Sequence, residues 1–204
     1  MKKPKEFNIV AIGTGGQGIL TLTFIIAEAA LKQGYDVKTS ELHGLAQRGG
    51  SVSCHIRFGE KIYSPIVRES EANLIIALEP LEALRACYYG SKENGTVIIF
   101  NTFPIVPLSV SILKESYPSL EKIENILREF ASQVIPVNAT EIAKKELGKG
   151  VFANVFMLGY AFGLNLIPIE KKNLEEGIKE VVKEKYLEAN LKAFELGIEK
   201  AKEG

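Results

Sequence analysis
The chain has 204 residues, 46% hydrophobic and 25% charged, with 25 basic and 25 acidic side chains and a formal charge of zero. That length buries a sizeable core at the upper edge of one domain, so a single domain over residues 1–204 is expected. Balanced charge gives no electrostatic case for nucleic acid or an anionic membrane, and the only cysteines, Cys54 and Cys87, belong to no C-x-x-C pattern from which this chain alone could assemble a metal or iron–sulfur site.

The basic start, Met1-Lys2-Lys3-Pro4-Lys5, runs straight into an apolar segment with no small-residue cleavage site, so it does not read as a signal peptide. Residues 7–12 form a strand-length apolar stretch, and residues 19–31 a helix-length one. Thr21, Thr23 and Glu28 interrupt the latter, which is too short to span a bilayer; a cytoplasmic protein is expected. Between the two lies Gly13-Thr14-Gly15-Gly16-Gln17-Gly18. Gly13, Gly15 and Gly18 fit G-x-G-x-x-G: a tight turn, a backbone that a phosphate can approach, and a helix packed close to the strand. The helix start aims unpaired N–H groups and a partial positive charge above the turn, where an anion such as a nucleotide pyrophosphate is expected.

Residues 36–41 and 51–58 read as two further strands, and Gly59-Glu60-Lys61 as a turn into residues 62–67, giving a hairpin inserted in an α/β pattern. Residues 73–78 and 96–101 are continuous apolar runs of the kind buried on both faces of a parallel sheet. A helix starting at Pro80 separates them and reaches Tyr89. Leu120, Ile123, Ile126, Leu127 and Phe130 recur at helical spacing before a last strand over residues 133–137. Helices follow over residues 138–147 and 153–164, and the tail carries an amphipathic stripe of Leu187, Leu191, Phe194, Ile198 and Ala201. The expected fold is therefore a Rossmann-like open, mostly parallel sheet with helices on both faces. Abundant Lys and Glu in the last third and the absence of Trp lean toward a thermophilic source.

After the second strand comes Ser40-Glu41-Leu42-His43-Gly44-Leu45-Ala46-Gln47-Arg48-Gly49-Gly50. Ligands of open parallel sheets collect outside the carboxyl ends of the strands, so this loop and the first glycine turn are expected to face one crevice. Arg48, beside two glycines, is free to reach a phosphate or carboxylate there; the alternative is a local ion pair on an ordinary turn. His43 and His55 lack a carboxylate or thiol at a recognisable spacing, and no catalytic residue is assigned to this chain.

Together these motifs resemble the gamma-type subunit or domain of the 2-oxoacid:ferredoxin oxidoreductases, and within that family the small subunits of its indolepyruvate-oxidising branch. The first turn is similar to the family's G-x-G-G-Q-G, and Ser40 through Val52 to its S-E-x-H-G-x-A-Q-R-G-G-x-V signature. Ile62-Tyr63-Ser64-Pro65 and Ala153-Asn154-Val155-Phe156-Met157-Leu158-Gly159 are further landmarks. The resemblance implies a subunit of an enzyme that oxidatively decarboxylates arylpyruvates to acyl-coenzyme A and passes electrons to ferredoxin. It places thiamine diphosphate and the iron–sulfur clusters on a large alpha partner. Coenzyme A would contact this chain, its phosphates lined by Gly15, Gly16, Gln17 and Gly18 on the turn that Gly13 opens, with Arg48 close by.

Two other readings use the same glycine turn: a stand-alone nicotinamide-dependent dehydrogenase, which needs its own proton-transfer group, and a non-catalytic nucleotide-sensing module. The first helix and residues 153–164 are apolar nearly all round, so a large partner interface is expected on them, with self-association when the chain is alone.

Overall fold
A computed structural model describes residues 4–43, 49–106 and 116–203. Among these, six strands form one sheet in the order β2-β3-β1-β4-β5-β6: β1 (Glu6–Thr14), β2 (Asp36–His43), β3 (Ser51–Gly59), β4 (Leu74–Ala77), β5 (Val97–Asn101) and β6 (Gln133–Val137). β1, β4, β5 and β6 run parallel, while β3 lies antiparallel between β1 and β2. The helices are α1 (Ile19–Lys32), α2 (Pro80–Ala86), α3 (Leu120–Leu127), α4 (Ala139–Leu147), α5 (Ala153–Gly163), α6 (Lys171–Val181) and α7 (Glu184–Glu203).

Side-chain alternation along the strands divides the core into two layers. Ile9, Ala11, Cys54, Ile56, Phe58, Leu74 and Ile76 face a first layer with α1 and α4 to α7. Val10, Ile12, Ile75, Ala77, Ile98 and Phe100 face a second, smaller one with α2 and α3. The two cysteines are buried in different layers, Cys54 in the first and Cys87 in the second. Burial pushes the Cys54 thiol up to about 11, which leaves it an inert packing group.

Three elements depart from expectation. Residues 62–67 are not a strand. Their backbone groups are taken by side chains instead: the Arg57 guanidinium donates from Nη1 to Ser64 O and Ile66 O at 2.9 and 3.0 Å. Val67 N–H donates to His55 Nδ1 at 2.9 Å, and Ile62 N–H to Asp36 Oδ2 at 2.8 Å. The hairpin is formed by β2 and β3, inside the main sheet. Second, α5 offers no large apolar surface, because Val155, Phe156, Met157, Leu158 and Ala161 are all fully buried. α7 covers its far side through a close crossing in which a Cβ on Gly159 would strike Phe194 O and one on Gly197 would strike Phe156 O. On α1, Leu20, Phe24 and Leu31 remain exposed. α6 was not expected; its sparse stripe of Leu174, Ile178 and Val181 packs on α1 where Gly177 lies against Ile25 O.

Candidate functional site
The carboxyl ends of β1 and β2 and the start of β3 share one edge of the sheet, where the two glycine motifs meet. Gly15 N–H donates to Gly50 O at 2.8 Å, and Gly49 N–H donates back to Gly15 O at 3.4 Å. His43 ends β2, opposite Val52. Residues 44–48, Arg48 among them, lie outside the described residues.

Within the first motif each residue has a separable part. Gly16 and Gly18 adopt φ of +101° and +79°, values in the left-handed region that favours glycine. A Cβ on Gly16 would meet nothing within 4 Å, so this backbone is open to a ligand, whereas one on Gly18 would strike the Asn154 carboxamide and one on Gly13 would lie 2.7 Å from Gln17 Oε1. Asn154, nearly buried at the start of α5, donates to Gly18 O at 3.1 Å and fixes the entry to α1. The Gln17 carboxamide is turned inward: Oε1 accepts from Thr14 N–H at 2.7 Å, and Nε2 donates to Leu78 O at 2.7 Å. It holds the turn to β1 and to the end of β4. α1 then begins with no side-chain cap and no acidic residue in its first turn, an arrangement suited to an external anion.

Beside the turn is a cleft of about 270 Å³ lined by Gly16, Gln17, Phe103, Ile105, Thr140 and Val151, among others. Lys144 Nζ sits 4.1 Å from the Phe103 ring centroid and 2.7 Å from Glu141 Oε1. The inner wall is fixed by Asn101, fully buried, whose Nδ2 donates to Leu78 O at 3.1 Å and Thr140 Oγ1 at 2.8 Å. Among the described lining residues there is no nucleophile paired with a base.

Sequence reasoning missed a buried acidic pair behind the motifs. Glu79 ends the β4 turn and caps α2, accepting from Glu82 N–H at 3.0 Å, from Ile105 N–H at 3.1 Å and from the Tyr117 hydroxyl. Glu82 accepts from Ser51 Oγ, one residue beyond the second motif, and burial raises its pKa despite that bond. The signal was present as Glu79-Pro80-Leu81-Glu82, the spacing of a capping box. His55 is fully buried with Nδ1 occupied by Val67 N–H, and burial holds its pKa below the usual value; its ring meets Tyr89 nearly edge-on at 4.8 Å. It is a packed neutral imidazole and not among the residues that line the cleft.

Among the described residues no helix is long and apolar enough to cross a membrane, and no group of three or more His, Cys, Asp or Glu side chains could hold a metal ion. The sequence is 45% identical to an Archaeoglobus fulgidus protein named "Indolepyruvate oxidoreductase subunit IorB", over 98% of this chain and 97% of that one. It is 27% identical to "Ketoisovalerate oxidoreductase subunit VorA" of Methanothermobacter marburgensis, over 97% of this chain but 37% of that longer one. The fold matches a solved 2-oxoglutarate:ferredoxin oxidoreductase from Magnetococcus marinus, with 2-oxoglutarate, coenzyme A and succinyl-CoA bound, at a TM-score of 0.71 and 21% identity, over 98% of this chain and 32% of that one. The family described as pyruvate ferredoxin/flavodoxin oxidoreductase matches residues 8–200. That span runs from β1 into α7 and takes in both glycine motifs, so the chain belongs to the pyruvate ferredoxin/flavodoxin oxidoreductase family.

Proposed function
We propose that this chain is the small subunit of an arylpyruvate-oxidising 2-oxoacid:ferredoxin oxidoreductase, and that its two glycine motifs hold the phosphate end of coenzyme A. Such a reaction needs thiamine diphosphate for decarboxylation, iron–sulfur clusters for two electrons and coenzyme A as acyl acceptor. Two cysteines in separate core layers suit no cluster, so the clusters and the thiamine cofactor are assigned to a large alpha subunit, which also meets ferredoxin.

The observation that carries the coenzyme A assignment is the backbone pairing of Gly15 with Gly50 beside an open cleft. Gly13 makes the turn, Gly15 joins the second motif, Gly16 leaves room for an anion, and Gly18 admits Asn154 and opens α1. Gln17 supports the ligand indirectly, by holding the turn in place. Phe103, Ile105 and Val151 offer an apolar wall to a pantetheine-like arm, and Lys144 supplies a cation at the rim. Arg48 is assigned to phosphate on its place in the second motif. No residue of this chain is given a bond-making role; its part is to bind and orient the acyl acceptor.

The test is steady-state kinetics of the co-purified complex with coenzyme A varied at saturating arylpyruvate. Val151→Trp fills the cleft from an exposed position, and Arg48→Ala deletes a charge-assisted contact of about 1.5–3 kcal/mol, roughly tenfold to hundredfold in affinity. Both raise the KM for coenzyme A and leave iron and thiamine content unchanged. An unaltered KM in both variants refutes the ligand role; a complex that turns over no arylpyruvate refutes the subunit reading.

A further inference from the structure
A doubly wound sheet normally buries both faces under helices. Among the described residues the second layer stops short here. Of the described elements, α2 and α3 cover β1, β4 and β5 on that face, and no α-helix crosses β2 and β3 there, although α1 covers them on the other face. The register sets Lys38, Ser40 and Leu42 of β2 beside Arg57, His55 and Ser53 of β3, on the side opposite the buried Cys54, Ile56 and Phe58. In place of a helix, this half-face carries the extended strap of residues 62–67, held by Asp36, His55 and Arg57. Arg57 is itself buried and fixed by Glu6 and by Asn8 Oδ1 at 2.9 Å.

What this anchoring presents outward is a set of large apolar side chains bordered by Lys38 and by Lys61, whose Nζ lies 5.3 Å from the Tyr63 ring centroid. Tyr63 is 85% exposed, Leu42 48%, Tyr88 42% and Ile66 40%. Tyr88 belongs to the same face, because it packs on Tyr89 at 4.1 Å between centroids and Tyr89 packs on His55. The exposed apolar area is on the order of a few hundred Å², the size that marks interaction sites on soluble proteins. A segment tied down at three points loses little further freedom on binding, which favours its use as a preformed contact.

We propose that this half-face, centred on Tyr63 and Leu42, is where the large subunit of the same oxidoreductase docks and supplies the missing layer. The proposal rests on the subunit reading above. The occupant follows from chain length: the region equivalent to this chain is 37% of the Methanothermobacter marburgensis relative and 32% of the Magnetococcus marinus chain, so in those proteins most of the polypeptide is left to pack around it. Where the unit is a chain of its own, the covering layer comes from another polypeptide.

The test is co-expression of the tagged chain with the large subunit, followed by affinity purification and size-exclusion chromatography. A Leu42→Glu, Tyr63→Glu double variant, altered only at exposed positions, recovers at least tenfold less large subunit than the unmodified chain. Leu31→Glu, on the exposed stripe of α1, stays within twofold. Hydrogen–deuterium exchange over β1 and β4 reports whether the double variant is folded; in the unmodified complex the same measurement shows protection of residues 62–67 relative to the free chain. Undiminished recovery by the double variant, equal loss with Leu31→Glu, or an unprotected strap overturns the proposal. Loss of a homodimer with the large subunit still bound assigns the face to a second copy and overturns it too. If the unmodified chain recovers no large subunit, the subunit reading fails and this proposal with it.

Discussion

Replacing Gln17 by glutamate changes one amide NH2 to an oxygen and nothing in shape, yet the structure predicts a large, pH-dependent effect. Nε2 donates to Leu78 O at 2.7 Å, so an ionised carboxylate would set an acceptor against an acceptor, while its other oxygen kept the Thr14 N–H bond. Losing one hydrogen bond costs about 1 kcal/mol, and the opposed, poorly solvated oxygens add about 1–3 kcal/mol. A proton on the carboxyl restores the donor. The folded state therefore raises the variant's pKa by roughly two units above the ordinary glutamate value of about 4.3, at about 1.4 kcal/mol per unit. The native variant then binds more protons than the unfolded chain, and its stability falls as pH rises from about 4 to about 7. Relative to the parent, the deficit is about 1 kcal/mol at pH 5 and about 3 kcal/mol at pH 8. Urea unfolding at the two pH values reads this directly, with a Tm at pH 8 lower by roughly 6–12 °C. A Gln17→Glu chain as stable as the parent at pH 8, or equally impaired at both pH values, would refute an inward-turned carboxamide.

Gly159→Ala adds a methyl against the Phe194 carbonyl where α5 crosses α7. Overpacking of about 1–3 kcal/mol or more outweighs the roughly 1 kcal/mol gained in helix propensity, so thermal unfolding should come several degrees earlier; an unchanged or higher Tm would contradict the close crossing. Glu82→Gln removes a buried carboxyl whose pKa is raised by burial, with Glu79 beside it adding to the shift. Because ionising that group costs stability as pH rises above the unfolded pKa, the variant should match or exceed the parent at pH 8. The advantage should shrink toward pH 4; denaturant titrations showing an advantage that grows on acidification would reverse the sign of the argument.

β1, β4, β5 and β6 were legible as bounded apolar runs and β3 from the alternation of Val52, Cys54, Ile56 and Phe58, whereas the mostly polar β2 has only Val37 and Leu42 to mark it; the open sheet follows from them. Residues 62–67 misled because Ile62, Tyr63, Ile66 and Val67 have strand composition, while the groups that occupy their backbone are side chains of Asp36, His55 and Arg57, whose reach into the segment no composition shows. α6 was missed because four charged lysines and glutamates surround each apolar position and Gly177 lowers its propensity, although Gly177 is what lets it approach α1. In the site, the glycines could be read from spacing. The inward turn of Gln17 and the Asn154 contact depend on where the end of β4 and the start of α5 come to rest, which no local pattern encodes, whereas the Glu79–Glu82 cap is local and its spacing was there to be read.

The antiparallel β3 has a consequence for ligand choice. In a dinucleotide fold the strand after the first helix lies next to β1, and an acid at its end reaches the adenosine ribose above the glycine turn. Here β3 fills that slot and β2 stands two strand spacings from β1, roughly 10 Å away. Glu41, the residue at the corresponding place, pairs across from Cys54 and is carried out of range of a sugar seated over Gly16. A bound nicotinamide dinucleotide would meet neutral backbone from residues 49 and 50 where its ribose requires a carboxylate. The inserted strand thus removes the acid that selects such cofactors and puts the backbone of Gly49 and Gly50 in its stead.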